Sequence, residues 1–505
     1  MTQPTRRTFL KGSIIGLTGI MLGACSPPRI DLPVAAVSSP ATTPLVPAST
    51  PPRATAKATR AAPNAAPTRQ NMPPLQPAAA ASGLPVIAGR PTDRSVAISC
   101  QPSAATTISY DYGAAPGEYS AHSAPQAAGA GMPLETVIAG LQPGARYYVR
   151  PRSGDAVMPE FRFTTQRPPG AAFTFCIQGD SHPERVGKQF DAGLYRRTLL
   201  SAAADQPDFY MTIGDDFSVD QLKSVTADTV TALYAAQHQY LSLVGAPVFL
   251  VNGNHEQAAL ANLRGAPAAR DVAIWAQTAR NATFPQPAPD GFYSGDTELV
   301  DPIGLLRDYY AFTWGDALLV VLDPYWHSLQ TVDNAFGVDR DVKGKRDLWN
   351  NTLGDAQYQW FKQTMQNSRA KFKFVFTHHI NGTGRGGVEI AHTYEWGDAA
   401  QLAAHRPGWD RTIHQLMADH GVTIFFQGHD HIFAHQELDG VVYQTLPEPA
   451  NPNPAALENA DAYLSGDVLP NSGHVRVTVA PDGVTVDYIR SYLDKPDEVA
   501  FTYHK

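Results

Sequence analysis

Five apolar, strand-length runs in the C-terminal two thirds of this chain each end in a short polar cluster. "FTFCIQ" leads to Asp180-Ser181-His182, "FYMTI" to Gly214-Asp215, and "PVFLV" to Gly253-Asn254-His255-Glu256. "KFKFVF" leads to Thr377-His378-His379, and "TIFFQ" to Gly428-His429-Asp430-His431. Unbroken apolar runs of this length read as strands buried on both faces. Helical spacing separates them: Phe190, Leu194, Thr198 and Leu199 share one face, and Val225–Leu243 reads as a second helix. A third helix is predicted over Ala356–Met365 with Asp355 as its N-cap, and a fourth near Trp409–His420. "DYYAFTWGDALLVVLD" reads as two strands around Gly315-Asp316, and "HVRVTVAPDGVTVDYIRSY" as a hairpin. Strand–helix alternation predicts an α/β fold with helices outside the sheet, whose strand ends converge on one rim. A lone DxH, GD or HxH is a weak signal. Five in series, each at the same end of an apolar strand, define a site.

The chemistry of that rim follows from its residue types. Every candidate donor is oxygen or nitrogen, which suits Fe, Mn or Zn and excludes a soft-metal site. Two cations about 3.5–4 Å apart repel each other, and a carboxylate shared by both reduces the repulsion. After a strand end, alternate residues such as His429 and His431 can reach two neighbouring metals, and Gly428 before them permits a close backbone approach. The three cysteines, Cys25, Cys100 and Cys176, lie far apart without CxxC spacing, so neither a disulfide scaffold nor a thiolate zinc site is expected. A formal charge of −8, with no basic block outside the extreme N-terminus, argues against a nucleic-acid partner.

In their order, D-x-H, G-D, G-N-H-[DE], a lone His and G-H-x-H, these clusters resemble the calcineurin-like metallophosphoesterase superfamily over roughly Ala171 to Tyr492. The resemblance implies a β-sandwich core flanked by helices and a pair of divalent or mixed-valence metal ions. It implies one metal on Asp180, His182, Asp215 and His431, and a second on Asp215, Asn254, His378 and His429, with Asp215 as the bridge. It further implies attack of a metal-bridging hydroxide on phosphorus, with His255 as the general acid and Glu256 orienting it. Monoesters are the favoured small phosphorylated substrates. The alternatives are a phosphodiesterase or nucleotide pyrophosphatase on the same centre, or a non-catalytic surface-binding lipoprotein. The glycine-rich "NGTGRGGVE" suggests a substrate loop carrying Arg385, whereas His379, Asp430, Asp323 and Trp326-His327 read as supporting residues. The layout looks most like purple acid phosphatases, with two departures. Ser218 stands where those enzymes carry a tyrosine three residues after the bridging aspartate, and His182 stands where they usually lack a histidine. A site suited to ordinary divalent pairs, without violet tyrosinate colour, is therefore expected.

At 505 residues the chain is expected to hold more than one domain. "TRRTFLKG" precedes an apolar stretch, Ser13 to Ala24, too short for the roughly 20 residues of a membrane-spanning helix. Arg6-Arg7 resembles a twin-arginine export signal, and "LGAC" a lipobox that would place lipid on Cys25. Residues 1–25 are thus expected to be a leader handled by the twin-arginine machinery, and the protein a membrane-anchored lipoprotein of the periplasm or cell surface. Residues 26–84 hold thirteen prolines and no aromatic residue, so they cannot build a core and read as an extended linker. Residues 85–167 change to short strands between Gly/Pro/Asp turns, predicting a small all-β, fibronectin III-like domain. "GLQPGARYY" places Leu141, Pro143 and Tyr147 as in a tyrosine corner. Residues 170–505 form the expected catalytic domain.

Overall fold

A computed structural model describes residues 84–258, 263, 267–329, 331–332, 347–380 and 384–505. The expected leader and all but the last residue of the expected linker lie outside these residues, as do Asn381–Thr383 of the glycine-rich loop. Among the described residues no helix is long and apolar enough to cross a membrane.

Residues 86–164 are all β. Val86–Gly89, Ser95–Cys100 and Leu134–Ala139 form one antiparallel sheet, and Thr106–Gly113 and Arg146–Ser153 centre a second. Alternation along the strands sends Val96, Ile98, Ile108, Tyr110, Val149 and Phe163 into a shared core. The expected corner is present: Leu141 is buried, and the Gln142 N–H donates to Tyr147 Oη at 2.9 Å.

From Phe173 onward two sheets pack face to face. The six-stranded sheet runs Val248–Leu250, Phe209–Thr212, Phe173–Gln178, Gly473–Ala480, Gly483–Arg490, Glu498–His504. The predicted C-terminal hairpin therefore extends this sheet, antiparallel to Phe173–Gln178. The eight-stranded sheet centres on Ala317–Val321, Phe372–Phe376, Ile424–Gln427 and Val441–Thr445, all parallel. Phenylalanines fill the gap, with Phe175 of the first sheet edge-on to Phe374 of the second at 5.6 Å.

Helices cover the outer faces. Ala192–Ala204 and Ala227–Leu241 lie against the six-stranded sheet, and Gly354–Asn367 and Ile413–Asp419 against the eight-stranded one. The order is helix, sheet, sheet, helix, a sandwich flanked by helices rather than one central sheet. One expected cap differs. The third helix starts at Gly354 after Leu353, and Asp355 instead accepts from Trp409 Nε1 at 2.8 Å. An aromatic donor from the neighbouring segment outcompetes the orphan helix N–H for that carboxylate.

Candidate metal centre

Three of the cluster-bearing strands are parallel neighbours in one sheet and two in the other, so all five polar clusters meet at one edge of the sandwich. The backbone there is unusual. His182, Asp215, His429 and His431 adopt left-handed φ values of 44°, 58°, 68° and 60°. Non-glycine residues in this region are uncommon and cluster where function requires a side chain to be re-aimed. Gly428 is needed for a different reason: a Cβ there would lie 2.4 Å from Asp180 Oδ1.

All seven expected ligands come together and are buried. Asp180 receives the His429 N–H on Oδ1 at 2.9 Å and turns Oδ2 to His431 Nε2 at 3.1 Å and His182 Nε2 at 3.7 Å. Asp215 does the same: Oδ1 accepts the His255 N–H at 2.8 Å. Its Oδ2 lies 3.1 Å from His378 Nε2 and 3.8 Å from His182 Nε2, between the two groups of imidazoles. His378 Nε2 is also 3.0 Å from Asn254 Oδ1, and His182 Nε2 faces His431 Nε2 at 3.2 Å.

These residues fit a pair of cations. Donors bound at about 2.1 Å to one metal at right angles lie about 3 Å apart, which is the spacing of the Asp180–His431, His182–His431, Asp215–His378 and Asn254–His378 pairs. The outer nitrogens are committed elsewhere: His378 Nδ1 bonds the Ile213 carbonyl at 2.9 Å and His182 Nδ1 the Glu184 carboxylate at 2.9 Å. That fixes the tautomers and aims each Nε2 inward. Buried His429 Nε2 has no hydrogen-bond partner among the described residues. Burial pushes His182 down to about 4 and, with the Arg385 charge, holds His429 well below its ordinary range. Both are neutral imidazoles, the ligating form. His378 is the opposite: against burial, the carboxylates of Asp215 and Asp180 hold it at about 9. Surplus negative charge there retains a proton where a cation would serve.

His255 stands beside this group, its Nε2 3.9 Å from Asp215 Oδ2. Burial would lower its pKa, but the Asp215 and Asp220 carboxylates raise it above the ordinary value. The group orienting its ring is Asp220, whose Oδ2 meets Nδ1 at 2.8 Å, and not Glu256. Glu256 instead accepts from the backbone N–H groups of Gly253 at 2.7 Å and Asp216 at 3.0 Å, tying two ligand loops together. Neighbours in sequence diverge at a strand end. Asp220 comes from a turn 35 residues earlier, and nothing in the sequence pattern marks it.

Arg385 reaches the HxH loop, where Nη1 donates to the His429 carbonyl and pairs with Asp430 at 3.2 Å. Asp430 also accepts from the Gly386 N–H at 2.7 Å and Tyr463 Oη at 2.6 Å, so it fastens the glycine-rich loop to the rim. His379 bonds Tyr325 Oη through Nδ1 at 2.9 Å and stacks on the His429 ring at 4.2 Å. Asp323 receives Asn252 Nδ2 at 2.7 Å, bracing the strand end that carries Asn254. Trp326 packs against Ala273 and Leu306. Arg185, unmarked by any spacing rule, lies with Nη2 3.3 Å from His255 Nε2.

The family model for calcineurin-like phosphoesterases matches residues 173–433, just over half of the chain. The chain belongs to the calcineurin-like phosphoesterase family. Among solved structures, one described as the structure of PhoD superposes with a TM-score of 0.63 at 16% identity, covering 85% of this chain and 92% of that one. At that identity the likeness is one of fold. A dimetal phosphatase from Danio rerio matches at 14% identity over 65% of this chain and 98% of its own, with a TM-score of 0.38. No curated protein sequence matches the chain. As a calcineurin-like phosphoesterase it carries its aspartates and histidines, from both sheets, as clusters able to hold metal.

Proposed function

We propose that this protein hydrolyses phosphomonoesters outside the cytoplasm, using two metal ions of the Fe, Mn or Zn type. The observation that carries the reading is the placement of Asp215 Oδ2 between His378 at 3.1 Å and His182 at 3.8 Å, with His255 3.9 Å away. Asp180, His182, Asp215 and His431 would hold one cation, and Asp215, Asn254, His378 and His429 the other. Bound there, the cations would supply Lewis-acid stabilisation of charge at phosphorus and an activated water. His255 donates its Nε2 proton to the leaving oxygen. Asp220 fixes the ring and, with Asp215, favours the protonated form that an acid requires. Arg385 faces substrate from the glycine-rich loop while anchored through Nη1.

We place the enzyme outside the membrane by the twin-arginine route, tethered through Cys25 and its proline-rich linker. Fractionation of Cys25→Ala, expected to leave the membrane, tests the tether separately from the chemistry. The catalytic reading is tested by assaying a chromogenic monoester beside its diester while measuring metal content on the same sample. Faster monoester turnover with two metals per chain is expected. A fully metallated protein that turns over neither ester would overturn the reading.

A further inference from the structure

We propose that Arg185 selects a doubly charged phosphoryl group at this centre, making the site prefer monoesters to diesters. The inference rests on the hydrolase reading above and assigns its substrate preference to a residue. After His182 the chain folds back on itself: the Arg185 N–H bonds the His182 carbonyl at 3.0 Å, and the Arg185 carbonyl receives Lys188 N–H at 3.0 Å and Phe190 N–H at 3.1 Å. This turn holds the guanidinium at the rim, with its side chain 25% exposed and thus open to solvent on one side.

Three contacts aim it. Nε pairs with Glu184 Oε1 at 3.2 Å, Nη1 donates to Gln189 Oε1, and Nη2 lies 3.3 Å from His255 Nε2. The same Glu184 oxygen takes His182 Nδ1 at 2.9 Å, so one carboxylate sets both a metal-facing imidazole and the guanidinium. Nδ1 of His255 is committed to Asp220. Arg185 thus brings a guanidinium that is partly open to solvent within 3.3 Å of the ring beside Asp215, where a phosphoryl oxygen can take its remaining N–H groups. Arginine stays charged at every relevant pH, and its planar fork matches two phosphoryl oxygens. A monoester has a second phosphate pKa of about 6, so near neutrality it offers a further charged terminal oxygen. In a diester that position is an esterified oxygen without charge.

The test uses the full, metal-loaded protein and its Arg185→Ala and Arg185→Lys variants. Each is assayed on a chromogenic monoester and the matching diester, with metal content and inorganic phosphate affinity by calorimetry. A hydrogen bond to a charged group is worth about 1.5–3 kcal/mol, or roughly 10–150-fold. Arg185→Ala should therefore raise the monoester KM by about that factor, at least tenfold more than the diester KM. It should weaken phosphate binding in parallel and keep its metal. Lysine should restore part of the phosphate affinity. Equal losses on both esters, or unchanged phosphate affinity in Arg185→Ala, would overturn the assignment and leave the hydrolase reading standing. A wild type that turns over neither ester yet binds phosphate through Arg185 would remove the hydrolase reading and keep the arginine.

Discussion

The β region over residues 86–164 and the rim of the sandwich are both made of strand ends and turns, yet they use their backbone in opposite ways. In the β region the left-handed turn positions are glycines, Gly117, Gly131, Gly140, Gly144 and Gly154, with Arg90 the exception. At the rim the same conformation falls on His182, Asp215, His429 and His431. Buried polar side chains divide likewise. The β region buries neutral groups such as the hydroxyls of Ser99, Tyr110, Thr136 and Thr164, and its charged trio Asp111, Arg150 and Arg152 stays partly exposed. The rim buries Asp180, Asp215, Glu256, His378 and His429 almost completely. Burying such groups is costly unless each is hydrogen-bonded or neutralised. One region buries what packing alone can hold, and the other gathers aspartates and histidines into clusters able to hold metal.

The largest break in that contrast should come from Asp215→Asn. It removes a charge positioned between both imidazole groups, 3.1 Å from His378 and 3.8 Å from His182, while keeping the shape of the side chain. Metal affinity should fall by more than the roughly 10–100-fold that loss of an outer partner costs, and metal analysis after gel filtration checks it. Full retention of two metals would refute the bridging assignment. His255→Asn should act differently, keeping metal but lowering kcat by roughly 10²–10⁴, the usual worth of general acid catalysis. Its loss should shrink for esters with good leaving groups, and an equal loss across leaving groups would count against the acid role.

The same contrast explains which parts were legible in the sequence. Metal chemistry restricts residue types immediately after a strand, so Asp180, His182, Asp215, Asn254, His378, His429 and His431 stand out in the amino-acid sequence alone. The tyrosine corner was legible because Leu141 and Tyr147 carry a fixed local spacing. What escaped depends on chain reversals that no periodicity records. Asp220 reaches His255 from a turn between Val219 and Gln221, and Arg185 reaches it from the folded-back segment after His182. Glu256 and Asp355 misled for a related reason. Each had an obvious local partner by position, and in each the backbone aims the carboxylate at a better donor.

A smaller effect concerns acid and the seam between the regions. His238, on the helix Ala227–Leu241, is buried beside Phe284 at 5.7 Å, and burial lowers it to about 4. An unfolded histidine titrates near 6.5. Between those values the unfolded chain binds a proton that the folded chain does not, so stability falls as pH falls. The contribution is whole above about pH 6.5, declines toward pH 4 by up to roughly 3 kcal/mol, and is flat below. Denaturant unfolding across pH 7.5 to 4.5 should show this slope, and His238→Gln should reduce it, leaving the part that the likewise lowered His182 and His429 supply. An unchanged slope in that variant would assign the acid sensitivity elsewhere.

The smallest effect sharpens the contrast most, because it should be silent at the rim. Tyr147→Phe deletes the hydroxyl that accepts the Gln142 N–H while keeping the ring stacked on Phe163 at 5.6 Å. Gln142 is exposed, so water can replace the lost acceptor, and the cost should be about 1 kcal/mol. Metal content, kcat and KM should match the parent protein. Contacts between the β region and the sandwich include Tyr293 Oη on the Pro91 carbonyl, and just past the region Gln166 Nε2 donates to the Thr313 carbonyl at 2.9 Å; neither contact involves a proposed ligand. A Tyr147→Phe protein that folds but loses metal or turnover would show that the β region helps set the geometry of the rim, and the division of labour between the two would fail.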